Sequence, residues 1–320
     1  MAMQTIAQNM GVDVSKEYLQ IDSARGGESL RNGAKAIRTW LKALSAPACF
    51  AVEATNSYHR CFVELAHRLG HTVYLVDGYR LSRYRDSIGV RAKTDPCDAR
   101  LLRRYLDHEK ADLRIWEPPP EGYTSLLQLL HRRERVVSAR TALRQSLADV
   151  PELKRAARRT LRRLERLEEL LTKRIVDAAR TLGWGELMRR CDQIEGIGAL
   201  TSAALATVFQ RGRFRSADAF IAFLGLDVRP RDSGKYRGKR KLTKHGDTEI
   251  RRLLYLAAMK ASHTPAWSAF YQRHVARLSK TEALTALARK LARVAFALMR
   301  NGTEYEPRIH AAGSMQTATA

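Results

Sequence analysis

The sequence predicts an α/β segment followed by an all-α remainder. Three observations predict it. Short apolar runs alternate with helically spaced stretches over the first hundred residues, leucines at three- and four-residue steps dominate the middle, and a long helical tail fills the last third. With 320 residues, the chain is long enough for two domains with cores of their own.

The elements follow in order. "QNMGVDVS" is an apolar run with Asp13 at its end, and "EYLQIDS" alternates with period two, so the pair reads as a β-hairpin. Residues 29–45 carry Leu30, Ala34, Ile37, Leu41 and Leu44 at helical spacing. "ACFAVEA" is a buried strand that closes on Glu53, residues 57–69 form a helix, and "HTVYLVD" is a third buried strand. Strand-helix-strand order predicts a sheet with a parallel part. From Tyr123 to Leu182 the pattern changes. Leu161, Leu164, Leu171, Ile175, Ala178 and Leu182 make a coiled-coil-like seam, and Pro151 divides the stretch into two helices. Such a seam needs a partner helix, from this chain or from another subunit. "IEGIGALTSAALATVF" then gives two helical stretches around Gly196 and Gly198. "FLGLDVRP", the basic segment "RDSGKYRGKRKLTKHGD" and a helical tail over 247–300 follow. The last dozen residues read as a disordered tail. The expected domains are 1–120, the helical arm 121–183, a helical 184–305 and the tail 306–320.

Composition narrows the partners. The 57 Lys and Arg outnumber 33 Asp and Glu, a net charge of +24. The excess is clustered: residues 131–180 hold 15 basic and 7 acidic residues, and residues 229–252 hold ten and three. Clustered positive charge points to a polyanion, nucleic acid before membrane. No run of about 18 apolar residues predicts a membrane span, and the N-terminus lacks a secretory pattern. Four scattered cysteines without a CxxC pair favour a reducing, cytoplasmic setting over disulfides or structural zinc.

Against this basic background "KTDPCDA" is an acidic island. Pro96 suits the first turn of a helix, so Asp95 reads as the N-cap and Asp98 as the third helical residue. Taken alone, the pair reads as helix capping. Capping does not explain Asp13 and Glu53, each at the end of a strand, where open α/β sheets place their reactive crevice. Four carboxylates drawn together repel unless cations lie between them. Mg²⁺ (or Mn²⁺) is the expected cation, and a pair of such ions suits a phosphodiester. Lys93, Arg91 and Arg100 flank the island as cations for a polyanionic substrate.

"MGVDVSK", "FAVEAT" and "RAKTDPCDA", in this order, resemble the DEDD motif of the RuvC-like (RNase H-like) domain in bacterial insertion-sequence transposases of the one-ten family, which includes the Piv/MooV site-specific invertases. "IEGIGALTSAAL", "FLGLDVRPRDSGKYRGKRKLTKHGD" and "IRRLLYLAAM" are similar to that family's C-terminal transposase domain, so the resemblance spans roughly residues 5–300. "EATNSYHR" departs from it, because many relatives carry a Gly-Gly pair and an acid after the Glu strand. The resemblance implies a DNA transposase or recombinase. Asp13, Glu53, Asp95 and Asp98 would hold Mg²⁺ or Mn²⁺ in a RuvC-like catalytic domain, and Ser233 would attack DNA phosphate. It further implies donor and target DNA, a homo-oligomer (dimer or tetramer) and a structured noncoding guide RNA.

Alone, Ser233-Gly234 reads as a turn with an unactivated hydroxyl; the resemblance makes the serine a nucleophile. Around it Lys235, Arg237, Lys239, Arg240, Lys241 and Lys244 are expected to hold nucleic-acid backbone through salt-sensitive contacts. "EGIGAL" has two readings. Gly196 and Gly198 either let backbone amides approach a phosphate or form a plain turn between packed helices. Two rivals remain: a RuvC-like endonuclease that uses water, with Ser233 structural, and a non-catalytic nucleic-acid-binding protein.

Overall fold

The computed structural model describes residues 8–54, 57–90, 94–229, 232–233, 236–238 and 240–307. The chain divides into two compact units, Met1–Pro118 and Pro119–Ala320.

The first unit is a mixed α/β sheet in the order β3-β2-β1-β4-β5, built from β1 (Gln8–Val14), β2 (Tyr18–Ser23), β3 (Gly26–Arg31), β4 (Ala48–Glu53) and β5 (Thr72–Val76). β1, β2 and β3 are antiparallel, whereas β1, β4 and β5 run parallel. The hairpin and the parallel part match the expectation. β3 does not, because residues 29–31 belong to a strand and the first helix, α1 (Ala34–Lys42), starts later. Leu30 pairs with Leu19 across the sheet, so its apolar side chain serves the ladder and not a helix face. Gly26, at φ +122°, turns the chain into β3.

Alternation along the strands sends successive side chains to opposite layers. Met10, Val12, Val14, Phe50 and Val52 pack with Ile37 and Leu41 of α1 and with Phe62 and Val63 of α2 (Arg60–Arg68). Phe50 and Phe62 are fully buried and meet edge to face at 5.1 Å. Each such ring contributes roughly 1.5–3 kcal/mol by leaving water. Cys49, Ala51, Tyr74 and Val76 pack on the other face with Leu81 of α3 (Gly78–Ser87) and with Leu101, Leu102, Tyr105 and Leu106 of α4 (Asp95–Glu109). α4 lies directly on β1. A Cβ at Gly11 would stand 1.9 Å from the Ala99 carbonyl oxygen and 2.4 Å from the Arg103 nitrogen. Arg103 Nε also donates to the buried Asp22 carboxylate of β2 at 2.6 Å, a second clamp on the same helix.

The second unit is helical. α5 (Tyr123–Ser146) and α6 (Lys154–Thr181) form an antiparallel hairpin, with Pro151 opening a short 3₁₀ turn between them. The seam on α6 therefore finds its partner helix within its own chain. Arg133 bridges the pair, donating to Glu168 at 2.5 Å and to Thr172 at 2.7 Å, and Arg140 reaches Glu168 at 2.9 Å. Beyond the hairpin come α7 (Gly185–Asp192), α8 (Ala199–Gln210), α9 (Ala217–Phe223), α10 (Thr248–Ala261), α11 (Pro265–Val275) and α12 (Lys280–Asn301). Residues Thr201–Val208 of α8 are all buried, which makes it the central helix of this unit. Two short hairpins nest between α9 and α10: β6 (Val228–Arg229) pairs with β9 (Lys241–Leu242), and β7 (Asp232–Ser233) pairs with β8 (Tyr236–Arg237). Residues 308–320, most of the expected tail, lie outside the described residues. No helix among the described residues is long and apolar enough to cross a membrane. All four cysteines are free thiols.

Candidate active site

Strand register brings the first two acids together. Pairing of Val12 with Val52 in parallel puts Asp13 level with Glu53, on neighbouring strands at their carboxyl ends. Alternation places Asp13 on the face of Gly11, and Glu53 on the face of Ala51, which is the α3/α4 side. The first turn of α4 carries Asp95 and Asp98, and Asp98 immediately precedes the Ala99 peptide that presses on Gly11.

Electrostatics report the same convergence. Burial first, then the charges of Asp95, Asp98 and Glu53, push the Asp13 carboxyl from its ordinary 3.8 up to about 6, with a backbone hydrogen bond at Val14 pulling the other way. Asp98 is buried, and its Oδ1 accepts from Arg85 Nη2 of α3 at 2.6 Å. Glu53 lies against the start of α3, where a Cβ at Gly78 would be 2.5 Å from Glu53 Oε1. Asp77, the acid that ends the β5 segment, is taken up as the N-cap of α3, accepting from the Tyr79 and Arg80 amides.

The start of α4 corrects one expectation. Thr94, not Asp95, is the N-cap, in an extended conformation and without a side-chain cap bond. Asp95 is the first helical residue, and the Asp98 amide donates to the Thr94 carbonyl at 2.9 Å. Pro96 fits the second position as well as the first, because either amide lacks a helical partner. Neither carboxylate makes an N-cap hydrogen bond, though both lie in the first turn of α4, where negative charge suits the helix dipole.

The donor set suits a hard divalent cation: four carboxylates, one of them held toward its neutral form by burial and then by the other three. As placed, no three His, Cys, Asp or Glu side chains among the described residues stand close enough together to chelate an ion. Asp98 instead faces Arg85. Lys93 and Arg91 lie outside the described residues. Arg100 is exposed on α4, 4.0 Å from Asp22.

In the second unit, Ser233 is the last residue of β7, exposed and paired with Tyr236. Lys235 and Lys239 lie outside the described residues, and Arg237 contributes its backbone to β8. Arg240, Lys241 and Lys244 are exposed. Gly196, at φ +94°, is pressed against α10, where a Cβ would be 2.4 Å from the Ala257 carbonyl oxygen. Helix packing thus accounts for this glycine. Gly198 caps α8 in an extended conformation with open space around it, leaving that helix N-terminus exposed.

Sequence reasoning missed Arg85, Asp22, Gly11 and Gly78. Gly11 had a readable signal, since a glycine inside a strand marks a close backbone approach. Arg85 had none among so many arginines.

Comparison with known proteins covers both units. Residues 11–155 match a DEDD transposase family of the IS110 type, described as "Transposase", and residues 188–272 match the "Transposase IS116/IS110/IS902 family". A pilin gene-inverting protein of Moraxella lacunata is 27% identical over 81% of this chain and 82% of its own length. A probable family 20 transposase of Pseudomonas aeruginosa is 27% identical over 93% of this chain and 98% of its own. An IS110 insertion-element protein of Streptomyces coelicolor is 33% identical over 36% of this chain and 29% of its own. Two family matches in consecutive order along the sequence, together with relatives that align over most of it, mean that the chain belongs to the IS110 family of transposases, enzymes that act on DNA.

Proposed function

We propose that the protein cuts and rejoins DNA, with Asp13, Glu53, Asp95 and Asp98 as the metal-binding carboxylates and Ser233 as the nucleophile. The observation that carries this reading is the parallel pairing of β1 with β4, which sets Asp13 beside Glu53 at the carboxyl ends of the strands while α4, seated on β1 at Gly11, carries Asp95 and Asp98 in its first turn. Burial first, and then these three acids, raise the Asp13 carboxyl. The β3-β2-β1-β4-β5 order, antiparallel and then parallel, is compatible with a RuvC-like (RNase H-like) domain. Mg²⁺ or Mn²⁺, when bound, would supply Lewis-acid activation of a phosphodiester.

The residues divide the work. Asp13 and Glu53 ride on the sheet, Asp95 and Asp98 ride on α4, and the bare Gly11 contact fixes one pair against the other. Arg85 orients Asp98. Ser233 Oγ would bond to phosphorus as a backbone P–O bond breaks; the hydroxyl proton goes to a base and the leaving oxygen takes up another. The surrounding basic residues 229–252 would hold the strand by its phosphates. Leu167 and Leu170 stay exposed on α6, outside the intrachain seam, and are the side chains a second subunit would cover. A structured guide RNA is a further partner that the basic surface would accommodate.

A water-using nuclease is the second reading. Relatives named for inverting a pilin gene favour rejoining over cutting alone, because inversion leaves both junctions sealed. The test incubates labelled DNA with protein and Mg²⁺, denatures the mixture and maps the label by proteolysis. Label on the peptide containing residue 233, absent in Ser233→Ala, supports the reading. Label retained in Ser233→Ala refutes the nucleophile, and cutting without any covalent species replaces the recombinase with the nuclease.

A further inference from the structure

In the second unit, the β6–β9 hairpin, α11 and α12 enclose a groove of about 930 Å³. Its floor is apolar, formed by Val228, Leu242, Phe270, Leu278 and Ala286, while Lys241, Lys244, Arg289 and Lys290 supply a cationic rim. The acid on its lining, Glu282, is engaged in the capping box with Ser279 at the start of α12.

Three details give the groove more chemistry than a basic surface. Phe270 and His274 stack at 4.2 Å with 27° between their planes. His274 Nδ1 lies 2.8 Å from the Phe270 carbonyl oxygen, which can only accept, so this nitrogen carries the proton and locks the imidazole against the ring. Arg289 Nε is buried without a hydrogen-bond partner among the described residues. Lys244 holds a left-handed backbone, φ 58°, the only non-glycine to do so among the described residues. A lysine in a conformation that glycine adopts freely is kept there at a cost, and such costs gather at functional positions.

We propose that this groove holds an unpaired segment of a DNA strand, with a base on the Phe270–His274 stack and its phosphates on Lys241, Lys244, Arg289 and Lys290. The argument for an unpaired segment is complementarity. A duplex offers the rim its phosphates but hides the faces of its bases, leaving the apolar floor in water. A single strand offers both phosphate charge and a flat apolar face. The argument for DNA rests on the proposed cutting and rejoining, since a strand between cleavage and rejoining has lost its continuous partner.

The test uses full-length Asp95→Ala protein in chelator, so that no DNA is cut. A fluorescent single strand of roughly twelve nucleotides is titrated beside its duplex and an RNA strand of the same sequence. Phe270→Leu keeps an apolar side chain but loses the ring, and should weaken the DNA single strand about tenfold while leaving the duplex unchanged. Lys244→Gly should weaken single-strand binding and flatten its salt dependence, while the melting temperature holds or rises because glycine relieves the left-handed backbone. Opposite signs for stability and binding cannot come from misfolding. Equal losses for duplex and single strand would reduce the groove to a general phosphate patch and overturn the proposal. Unchanged affinity in both variants, tighter binding of the RNA strand, or displacement of DNA by an acidic peptide would also overturn it. Binding in chelator needs neither metal nor Ser233, so its failure and the failure of the covalent-adduct test are separate results.

Discussion

Gly11→Ala tests whether the catalytic geometry depends on a bare strand. The new Cβ would stand 1.9 Å from the Ala99 carbonyl oxygen and 2.4 Å from the Arg103 nitrogen, against roughly 3.4 Å for ordinary contact, so α4 must retreat by about 1.5 Å. Both opponents are helix backbone and cannot rotate aside. The helix is held meanwhile by the 2.6 Å Arg103–Asp22 pair and by buried Leu101, Leu102 and Leu106. Overpacking costs about 1–3 kcal/mol, and a rigid opponent puts this site at the upper end. For a unit of this size, that lowers the melting midpoint by roughly 10 °C or more. Asp98 moves with Ala99, and the proposed metal site would tolerate only about 0.5 Å of displacement, so metal-dependent cleavage should be lost even where the variant is folded. Calorimetry and a cleavage assay at a temperature below the variant's transition read the two effects separately. Gly27→Ala is the control, because its Cβ would meet nothing closer than 3.8 Å. A Gly11→Ala protein that melts with wild type and still cuts DNA would refute the direct seating of α4 on β1.

Three further outcomes follow from the ion pairs and the raised carboxyl. Asp13 has a folded value near 6 against 3.8, so its proton favours the folded state. That stability is present below about pH 4 and is lost as pH rises toward 6, worth about 1–2 kcal/mol after discounting for partial exposure. In chelator Asp13→Asn should therefore be the more stable protein at pH 7 and equal to wild type near pH 4. Denaturant titrations at both pH values check this, and a less stable Asp13→Asn at pH 7 contradicts it. Arg85→Ala leaves the mostly buried Asp98 carboxylate without its 2.6 Å partner, a loss of about 2–3 kcal/mol. Mg²⁺ should restore more stability to this variant than to wild type in the same titration. Glu168→Ala strips Arg133 of its closest acid, where burial already pulls the guanidinium below its ordinary range, and should cost about 2–4 kcal/mol. Hydrogen exchange should then accelerate along α6, and unchanged protection would show that the seam alone holds the hairpin.

Much of the first unit is legible because its strands are buried on both faces. "ACFAVEA" and "HTVYLVD" announce themselves as apolar runs, but their terminal acids part ways: Glu53 lies level with Asp13, whereas Asp77 is taken up as the N-cap of α3. β3 is hidden because "GGESLR" is mostly exposed edge strand, and its only apolar residue fits a helix pattern just as well. Thr94 is not distinguishable as the cap from sequence, because Asp95 stands beside it and both types cap well. The seam on α6 is plain from spacing, but spacing describes a stripe and not what covers it; only the fold shows α5 there. Arg85 lies thirteen positions from Asp98 on another helix, and no local pattern links them.

The seating of α4 on a bare stretch of β1 has a consequence for engineering. Met10, Val12 and Val14 face α1 and α2, whereas Gly11 and Asp13 face α4. The strand therefore interleaves two sets of instructions, one for robustness and one for the proposed chemistry. A saturation library over residues 10–14 should show tolerance that alternates by position. The even positions accept volume-matched apolar exchanges that tune thermostability, and the odd positions accept almost nothing. A more heat-resistant variant is thus best sought in the α1/α2 layer, where side chains can be repacked without moving the backbone that aligns the carboxylates.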